Sequence, residues 1–367
     1  MMKFEQKLSN LLDQVEKHSL SNESQKFISK DIISQFFDIG LFNVLIPSSL
    51  GFGEIQLKDY LKIVSQISSV DASTGWSYMC GTTLNGAAAS FLPDNAIESV
   101  FKKDNTFHNT IIAGQTSPRA TVEIIDGDIH ISGQFKFATG GTHANWIVCG
   151  FNHPDDNQHY LALVPSKNVE LTGGWNTIGL SGTGSVDFSI EKLKVSDDFI
   201  FRHDSIKPLR EKSFFSSGLV SVMLVGHVGV ALGLADRAIK EIKKIIFHEK
   251  ASGALIERQD FQIEFARETS RLSSLNSYFS NALDELEKSR QNDLNQLDSE
   301  DNLRLASVFV TEECAKIIRF CYDRAGTHAI HVNSILGKVF RDFHVANQHI
   351  LIDITQYQKL GLKLLTK

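Results

Sequence analysis

Hydrophobic periodicity changes twice along this chain of 367 residues, and each change marks a different kind of secondary structure. Up to about residue 105 the apolar side chains recur at helical spacing. From about 109 to 200 they alternate in short runs typical of strands, and Asp126-Gly127 between two such runs is a strong hairpin signal. From about 214 helical spacing returns in four long segments. The sequence therefore predicts an α+β multidomain protein with an N-terminal helical domain (1–107), a middle antiparallel β domain, a barrel or a sandwich (108–205), and a C-terminal four-helix bundle (206–367).

Composition excludes several classes of protein. Hydrophobic residues make up 42% and charged residues 22%, which is typical of a soluble globular chain. The formal net charge of -6 leaves no basic excess to neutralise phosphates, so we expect no nucleic-acid partner. The four cysteines form no CxxC pair and no disulfide framework, which favours a reducing, cytoplasmic setting.

One segment, residues 214–235, contains no Asp, Glu, Lys or Arg and is long enough to span a bilayer. Gly226, Gly229 and Gly233 follow helical spacing within it and would form a flat stripe. Such a stripe suits a membrane helix pair, but equally a central helix pressed against a neighbour. Because no second segment of this kind occurs, we favour the buried helix and expect no membrane partner.

No standard catalytic signature is present: the chain lacks a P-loop, a GxGxxG after a strand, GxSxG and HExxH. His328 and His331 share a helix face, but no carboxylates accompany them as a di-metal bundle requires, so we predict no metal site. The glycine-rich run 179–188 suits either a tight turn or a close approach to a ligand. Trp76, Trp146 and Trp175 suit either a core or a planar aromatic ligand.

Five motifs in order resemble the acyl-CoA dehydrogenase superfamily, and most closely its flavin-dependent monooxygenase branch, the oxygenase components of two-component systems. They are GLFNVLIPSSLGFGE at 40–54, VDASTGWSYM at 70–79, SGQFKFATGGTHANWIVCG at 132–150, GGWNTIGLSGTGSVDFSIEKLKV at 173–195 and GKVFRDFHVANQHIL at 337–351. The resemblance covers almost the whole chain. It implies the same three-part fold, with an antiparallel β-barrel as the middle domain and a buried bundle helix over 214–235.

The resemblance also implies a flavin, FAD or FMN, lying against the middle domain. It places Phe137, Ala138 and Thr139 beside the flavin ring, with Thr116 and Ser117 on the adjacent loop. It further implies that Trp76 and Trp146 line the ring or substrate cavity. Backbone donors aimed at the ring would stabilise its reduced, anionic form.

The motif at 337–351 distinguishes oxygenases from dehydrogenases in this superfamily. In many dehydrogenases a glutamate base follows the Arg-Asp pair by eight residues, and here that position is Ile350. Glu257 and Glu264 lie on another predicted helix but in no family motif. The oxygenase branch instead carries a histidine, which His349 matches and which suits acid–base work near neutral pH. Asn85 stands near the place of a second family histidine as a polar substitute.

These features predict a flavin-dependent monooxygenase that uses reduced flavin and O2 on a small organic substrate. Lys250 stands where the family arginine for the FAD pyrophosphate would be, so FMN or loosely held reduced flavin is an alternative to tight FAD binding. No NAD(P)H-binding motif is present, which favours a separate flavin reductase as partner. The alternatives are an acyl-CoA dehydrogenase and a non-catalytic flavin-binding relative. The resemblance also implies a homotetramer in which the turn with Gly326 and Thr327 lies near the cofactor.

Overall fold

The computed structural model describes residues 2–52, 55–103, 106–210, 213–248, 255–292 and 297–366. Its helices are α1 Met2–Gln25, α2 Lys30–Asp38, α3 Leu57–Val70, α4 Ala72–Phe91, α5 Asp94–Phe101, α6 Gly218–His248, α7 Gln259–Gln291, α8 Leu297–Ala325, α9 Ile335–Ala346 and α10 Thr355–Thr366. Its strands are β1 Lys102–Lys103, β2 Thr106–Phe107, β3 Ile112–Ile125, β4 Asp128–Ala138, β5 Trp146–Asn152, β6 His159–Pro165, β7 Glu170–Gly174, β8 Val186–Val195 and β9 Ile200–Arg202.

The predicted change from helices to strands and back to helices is confirmed. Strands β1 to β9 occupy residues 102–202, between helices that end at Phe101 and resume at Gly218. The predicted hairpin is also present, because Asp126 and Gly127 connect β3 to β4 with positive φ angles of 54° and 86°. Such φ values at both turn residues match the right-handed twist of the flanking strands.

The predicted antiparallel barrel is wrong in two respects. Seven strands form one open sheet in the order β7-β8-β4-β3-β5-β6-β9, so that β7 and β9 are its edges. In addition, β3 and β5 run parallel, with Ile112 opposite Trp146 and Ala113 opposite Ile147. The connection from β4 to β5 brings the chain back to the start of β3, which makes that one pair parallel.

The buried face of the sheet explains why these strands form. Inward side chains alternate along β4, where Ile129, Ile131 and Phe135 are buried, and the ring of Phe135 stacks on that of Phe188 in β8 at 4.6 Å. Alternation of period two places such residues on one face of a strand.

The chain divides into two compact units that cut across the predicted boundaries. The first unit contains Met1–Gln56, Trp76–Asn176 and Ser181–Met223. The second contains Leu57–Gly75, Thr177–Leu180 and Leu224–Lys367. The first therefore holds the sheet with α1, α2, α5 and most of α4, and the second holds α3 and α7 to α10 with most of α6. The three-domain division stays a prediction.

In the second unit, α6 packs tightly against α3 through its glycines. A Cβ built on Gly229 would lie 2.9 Å from Cβ of Val64, and one on Gly233 would lie 2.3 Å from the carbonyl oxygen of Ser65. Within the described residues, the one helix long and apolar enough to cross a membrane is the segment 214–247, and 83% of its most apolar window is buried in the protein. Such burial is typical of a core helix, as we expected for this segment.

The last of the four long helical segments predicted from about residue 214 is divided in the structure. Helix α9 ends at Ala346, a 3-10 turn covers Ile350–Ile352, and α10 begins at Thr355. His349 caps that turn, since it immediately precedes it and its ring nitrogen accepts a backbone hydrogen bond there. His344 lies on α9 and His349 lies beyond the end of that helix, so the two residues do not share a helix.

Candidate functional site

The predicted site residues are divided between the two units. Eight lie in the first unit: Trp76, Asn85, Thr116, Ser117, Phe137, Ala138, Thr139 and Trp146. The other three, Gly326, Thr327 and His349, lie in the second. Each group is described within its own unit.

The end of β4 exposes an aromatic ring and a hydroxyl to solvent. Phe137 has a φ of 65° and a side chain that is 56% exposed, which is unusual for a bulky non-glycine residue. Its ring meets that of Trp175 edge-on at 5.8 Å, and its N–H donates to Oδ1 of Asp187 at 3.3 Å. Ala138 is fully buried opposite Val186 in β8, so the strand is anchored immediately before Thr139.

The glycine-rich run supports the turn after β4. The backbone N–H of Gly140 donates to the carbonyl oxygen of Thr183 at 3.1 Å, and that of Thr142 donates to Gly184 at 3.2 Å. A Cβ on Gly184, whose φ is 64°, would lie 2.3 Å from Oγ1 of Thr142. Glycine is therefore required there, and the run acts as a backbone scaffold for the turn.

The Thr139 hydroxyl lies in a small polar network at this turn. It accepts a hydrogen bond from Oγ of Ser185 at 3.4 Å, and Oγ of Ser185 lies 2.8 Å from Oγ1 of Thr183. Burial raises the pKa of the Cys80 thiol to about 12, an effect that its hydrogen bond with Thr139 partly offsets. Cys80 is thus a protonated thiol at neutral pH rather than a nucleophile.

Helix α4 runs beside the end of β4. The hydroxyl of Ser77 donates to the carbonyl oxygen of Thr183 at 2.8 Å, and Cys80 contacts Thr139. Trp76 lies four residues before Cys80 and therefore on the same face of the helix. It is 9% exposed. The structure thus brings the Trp76 face of α4 to the predicted ring site.

A bulge lies in β3, the strand that pairs with β4 on the side opposite β8. The register between β3 and β5 shifts between Gln115 and Pro118, which places Thr116 and Ser117 outside the regular pairing. The side-chain oxygen of Gln115 accepts the N–H of Lys136 at 3.4 Å, one residue before Phe137. The carbonyl oxygen of Thr116 accepts a hydrogen bond from Nε2 of His159 at 2.6 Å, and Ser117 is exposed.

Two of the predicted site residues, Trp146 and Asn85, contact residues outside the predicted site. Trp146 stacks on Phe199 at 5.4 Å and pairs with Ile112, four residues before Thr116 on β3. That spacing is about 13 Å along a strand. The structure therefore does not bring Trp146 to the bulge at Thr116.

Asn85 is fully buried, and its amide is used by the backbone. Nδ2 donates to the carbonyl oxygens of Phe42 at 3.2 Å and Thr110 at 2.7 Å, while Oδ1 accepts the N–H of Ile112 at 3.1 Å. These bonds hold the start of β3 in place. The catalytic role of Asn85 stays a prediction, and it would require one of these bonds to break.

In the second unit, the turn with Gly326 and Thr327 is exposed. Gly326 has a φ of 55° with open space around its Cβ position, as the turn after α8 requires. The neighbouring His328 and His331 are exposed, and among the described residues no group of three or more His, Cys, Asp or Glu could hold a metal ion. Lys250, the predicted pyrophosphate ligand, lies outside the described residues.

His349 packs against a second histidine that the sequence did not single out. Its ring centroid lies 4.3 Å from that of His227 in α6, with the ring planes tilted by 43°. Burial lowers the pKa of His349 to about 4. The pKa of His227 is also held far below its usual range, first by burial and then by the charge of His349. The expectation that His349 titrates near the usual imidazole pKa is therefore wrong.

The Arg-Asp pair before His349 has a structural role. Oδ1 of Asp342 accepts the N–H of Leu180 at 2.6 Å, and Nε of Arg341 donates to the carbonyl oxygen of Ile178 at 3.1 Å. A Cβ on Gly179 would lie 2.4 Å from the carbonyl oxygen of Arg341. Residues 177–180, which lead into the glycine-rich scaffold, are thereby clamped to α9.

A buried charge network supports this clamp. Nζ of Lys338 lies 2.6 Å from Oδ2 of Asp342 and 3.0 Å from Oδ1 of Asp71, and all three side chains are at most 5% exposed. Asp71 also accepts the N–H and hydroxyl of Thr74, so it caps the start of α4. Burial raises the pKa of Asp342 above its usual range, although Lys338 opposes that shift.

Among the described residues, the three positions considered for a dehydrogenase base do not offer a buried, uncommitted carboxylate. Ile350 is 71% exposed, Glu257 is exposed, and Glu264 forms an ion pair with Arg324. The end of β4, by contrast, fits a flat uncharged ring. It offers an exposed aromatic side chain at Phe137 and a partly exposed hydroxyl at Thr139, on a turn that the backbone holds rigidly.

Comparisons with known proteins agree with this geometry. Residues 225–354 match the model of the acyl-CoA dehydrogenase C-terminal domain family. The chain is 26% identical to indole-3-acetate monooxygenase of Acinetobacter baumannii over 352 residues, covering 93% of this chain and 88% of that protein. It is 24% identical over 373 residues to p-hydroxyphenylacetate 3-hydroxylase, oxygenase component, of Acinetobacter baumannii, covering 95% and 85% of the two chains.

Among solved structures, XiaF from Streptomyces sp. in complex with FADH2 and glycerol has the same fold, with a TM-score of 0.86 at 16% identity. The match covers 100% of this chain and 97% of XiaF. Together with the relatives, it confirms the resemblance predicted from the sequence. The chain therefore has an acyl-CoA dehydrogenase-like fold and is similar in sequence to indole-3-acetate monooxygenase and to a hydroxylase oxygenase component.

Proposed function

We propose that this chain is the oxygenase component of a two-component monooxygenase, which uses reduced flavin and O2 to oxidise a small organic substrate. The observation that carries the proposal is that Ile350 stands at the position of the dehydrogenase carboxylate with the imidazole of His349 beside it, in a chain that keeps an exposed ring site at the end of β4. The names of the relatives support the same activity.

Phe137, Ala138 and Thr139 would hold the flavin ring, with Thr116 and Ser117 beside it. Bound reduced flavin would activate O2 and supply one oxygen atom to the substrate. The backbone and hydroxyl donors of the turn would bind and orient the ring, and Trp76 would exclude water from the cavity. His349 would bind the substrate or exchange a proton with it through its ring nitrogen.

The substrate class to test first is the aromatic acetates, because both relatives are named for such a compound. A separate flavin reductase would supply the reduced flavin, in keeping with the name of the p-hydroxyphenylacetate enzyme as an oxygenase component. FADH2 in XiaF favours FAD, with FMN as the alternative. We further propose a cytoplasmic homotetramer built on C-terminal four-helix bundles, with the Gly326–Thr327 turn near the cofactor of a neighbouring subunit. A monomeric mass at micromolar concentration would contradict that assembly.

The test mixes the purified protein anaerobically with FADH2 or FMNH2, then with O2 and a panel of aromatic acetates, and measures flavin binding and product by mass spectrometry. Incorporation of one 18O atom from labelled O2 is the expected result. Failure to bind either reduced flavin would favour the non-catalytic relative. Anaerobic bleaching of oxidised flavin by acyl-CoA thioesters would instead identify a dehydrogenase.

A further inference from the structure

His227 is the one histidine of the uncharged segment of α6, and the predicted function does not use it. Its side chain is 3% exposed. A buried aliphatic residue would fill such a position at a lower desolvation cost, because an imidazole must leave water to reach it. Its ring meets that of His349, with ring centroids 4.3 Å apart.

The ring of His349 is held from a second direction by its own backbone turn. Nδ1 of His349 accepts the N–H of Leu351 at 3.3 Å, where His349 caps the 3-10 turn Ile350–Ile352. An imidazole nitrogen that accepts a hydrogen bond carries no proton, so the neutral ring bears its proton on Nε2. The turn thus selects the tautomer, and the contact with His227 limits rotation of the ring.

We propose that His227 is a positioning residue for His349: its ring contact and the Leu351 N–H together hold His349 as one tautomer, with Nε2–H as the hydrogen-bond donor. This proposal rests on the catalytic role proposed for His349. It assigns His349 the work of donating a hydrogen bond to the substrate or to oxygen, rather than of removing a proton. Removing a proton through Nε2 would first require the ring to change tautomer.

The electrostatic surroundings agree with this assignment. Burial alone lowers the pKa of His349 to about 4, and burial followed by the charge of His349 lowers that of His227. No carboxylate contributes to either shift. Both rings are therefore neutral at neutral pH. An imidazole with so low a pKa is a weak general base, but its N–H still donates a hydrogen bond.

The experiment uses the full chain labelled with 13C and 15N in histidine and records the ring nitrogen shifts by NMR between about pH 5.5 and 8. In the wild type, the His349 ring is expected to show the Nε2–H tautomer alone and no titration. An Nδ1–H tautomer, or a midpoint near the usual imidazole pKa, would overturn the proposal without any variant.

Two variants test the role of His227. His227→Ala removes the ring contact, so the His349 signal should broaden or split between tautomers, and the fraction of oxidised flavin that yields product should fall about tenfold or more while flavin affinity stays unchanged. His227→Phe keeps an aromatic ring and should restore most of the wild-type His349 signal and most of the product yield. An unchanged His349 signal in His227→Ala would overturn the proposal.

His344→Ala is the matched control, because His344 meets Phe340 at 4.3 Å and Phe343 at 5.9 Å on α9. It should leave the His349 signal and the product yield unchanged, and a change in either would overturn the assignment to His227. A shifted His349 signal in His227→Ala with wild-type product yield would support the positioning contact and contradict the catalytic role of His349. Failure of the positioning proposal can therefore be distinguished from failure of the proposed function.

Discussion

The carboxylate of Asp342 accepts the backbone N–H of Leu180 at 2.6 Å, and this bond joins two motifs that lie far apart in the sequence. Leu180 has a φ of 51°, an uncommon value for a leucine, so the bond helps to hold a strained backbone. The Arg-Asp pair therefore holds the first residues of the glycine-rich run 179–188, because Leu180 lies within that run.

Replacing Asp342 by alanine should destabilise the protein by about 3–5 kcal/mol, because it leaves buried Lys338 with one carboxylate and the Leu180 N–H without its acceptor. Asp342→Asn keeps an acceptor oxygen and should cost less. Urea unfolding measures both losses, and Asp13→Ala, at an exposed position within α1, is the control. Equal stability of Asp342→Ala and the wild type would show that the clamp is unimportant.

Lys338→Met should also cost about 3–5 kcal/mol at pH 7, since it leaves two buried carboxylates without a cation. The loss should depend on pH. The folded-state pKa of Asp342 is already raised by burial, and removing Lys338 raises it further. A carboxyl group whose pKa is raised by folding contributes its full stability below the unfolded-state pKa. That contribution is lost as the pH rises through the folded-state pKa. The loss in free energy of unfolding caused by Lys338→Met should therefore be larger at pH 7 than at pH 5, and urea midpoints at the two pH values measure it.

Thr139→Trp should abolish binding of reduced flavin, because an indole at the turn after β4 would fill the space predicted for the ring. Thr121→Trp, at an exposed position on β3, should bind flavin normally. Anaerobic titration measures the affinity, and circular dichroism shows whether each variant folds. Wild-type affinity in Thr139→Trp would mean that the ring site lies elsewhere.

His349→Ala should lower turnover by about 10²-fold or more with flavin affinity unchanged, whereas His344→Ala should change little. Because burial places the pKa of His349 at about 4, the wild-type rate should show no ionisation from this residue between about pH 6 and 8. Steady-state rates across that range measure both effects. Wild-type turnover in His349→Ala would remove this residue from the mechanism, and loss of activity in Glu257→Gln or Glu264→Gln alone would restore the dehydrogenase interpretation.

Local patterns in the sequence determined the order of helices and strands and the Asp126-Gly127 hairpin, because each depends on neighbours a few residues away. The motifs also indicated the resemblance to the acyl-CoA dehydrogenase superfamily and pointed to His349 as a candidate site residue. Only the tertiary structure decided that β3 pairs in parallel with β5 and that the sheet ends at β7 and β9, since strand pairing depends on contacts between distant segments. It alone paired His227 with His349 and Lys338 with Asp71 and Asp342. The pKa of a histidine and the cost of a buried charge both depend on what surrounds them in three dimensions, and no spacing along the chain specifies that.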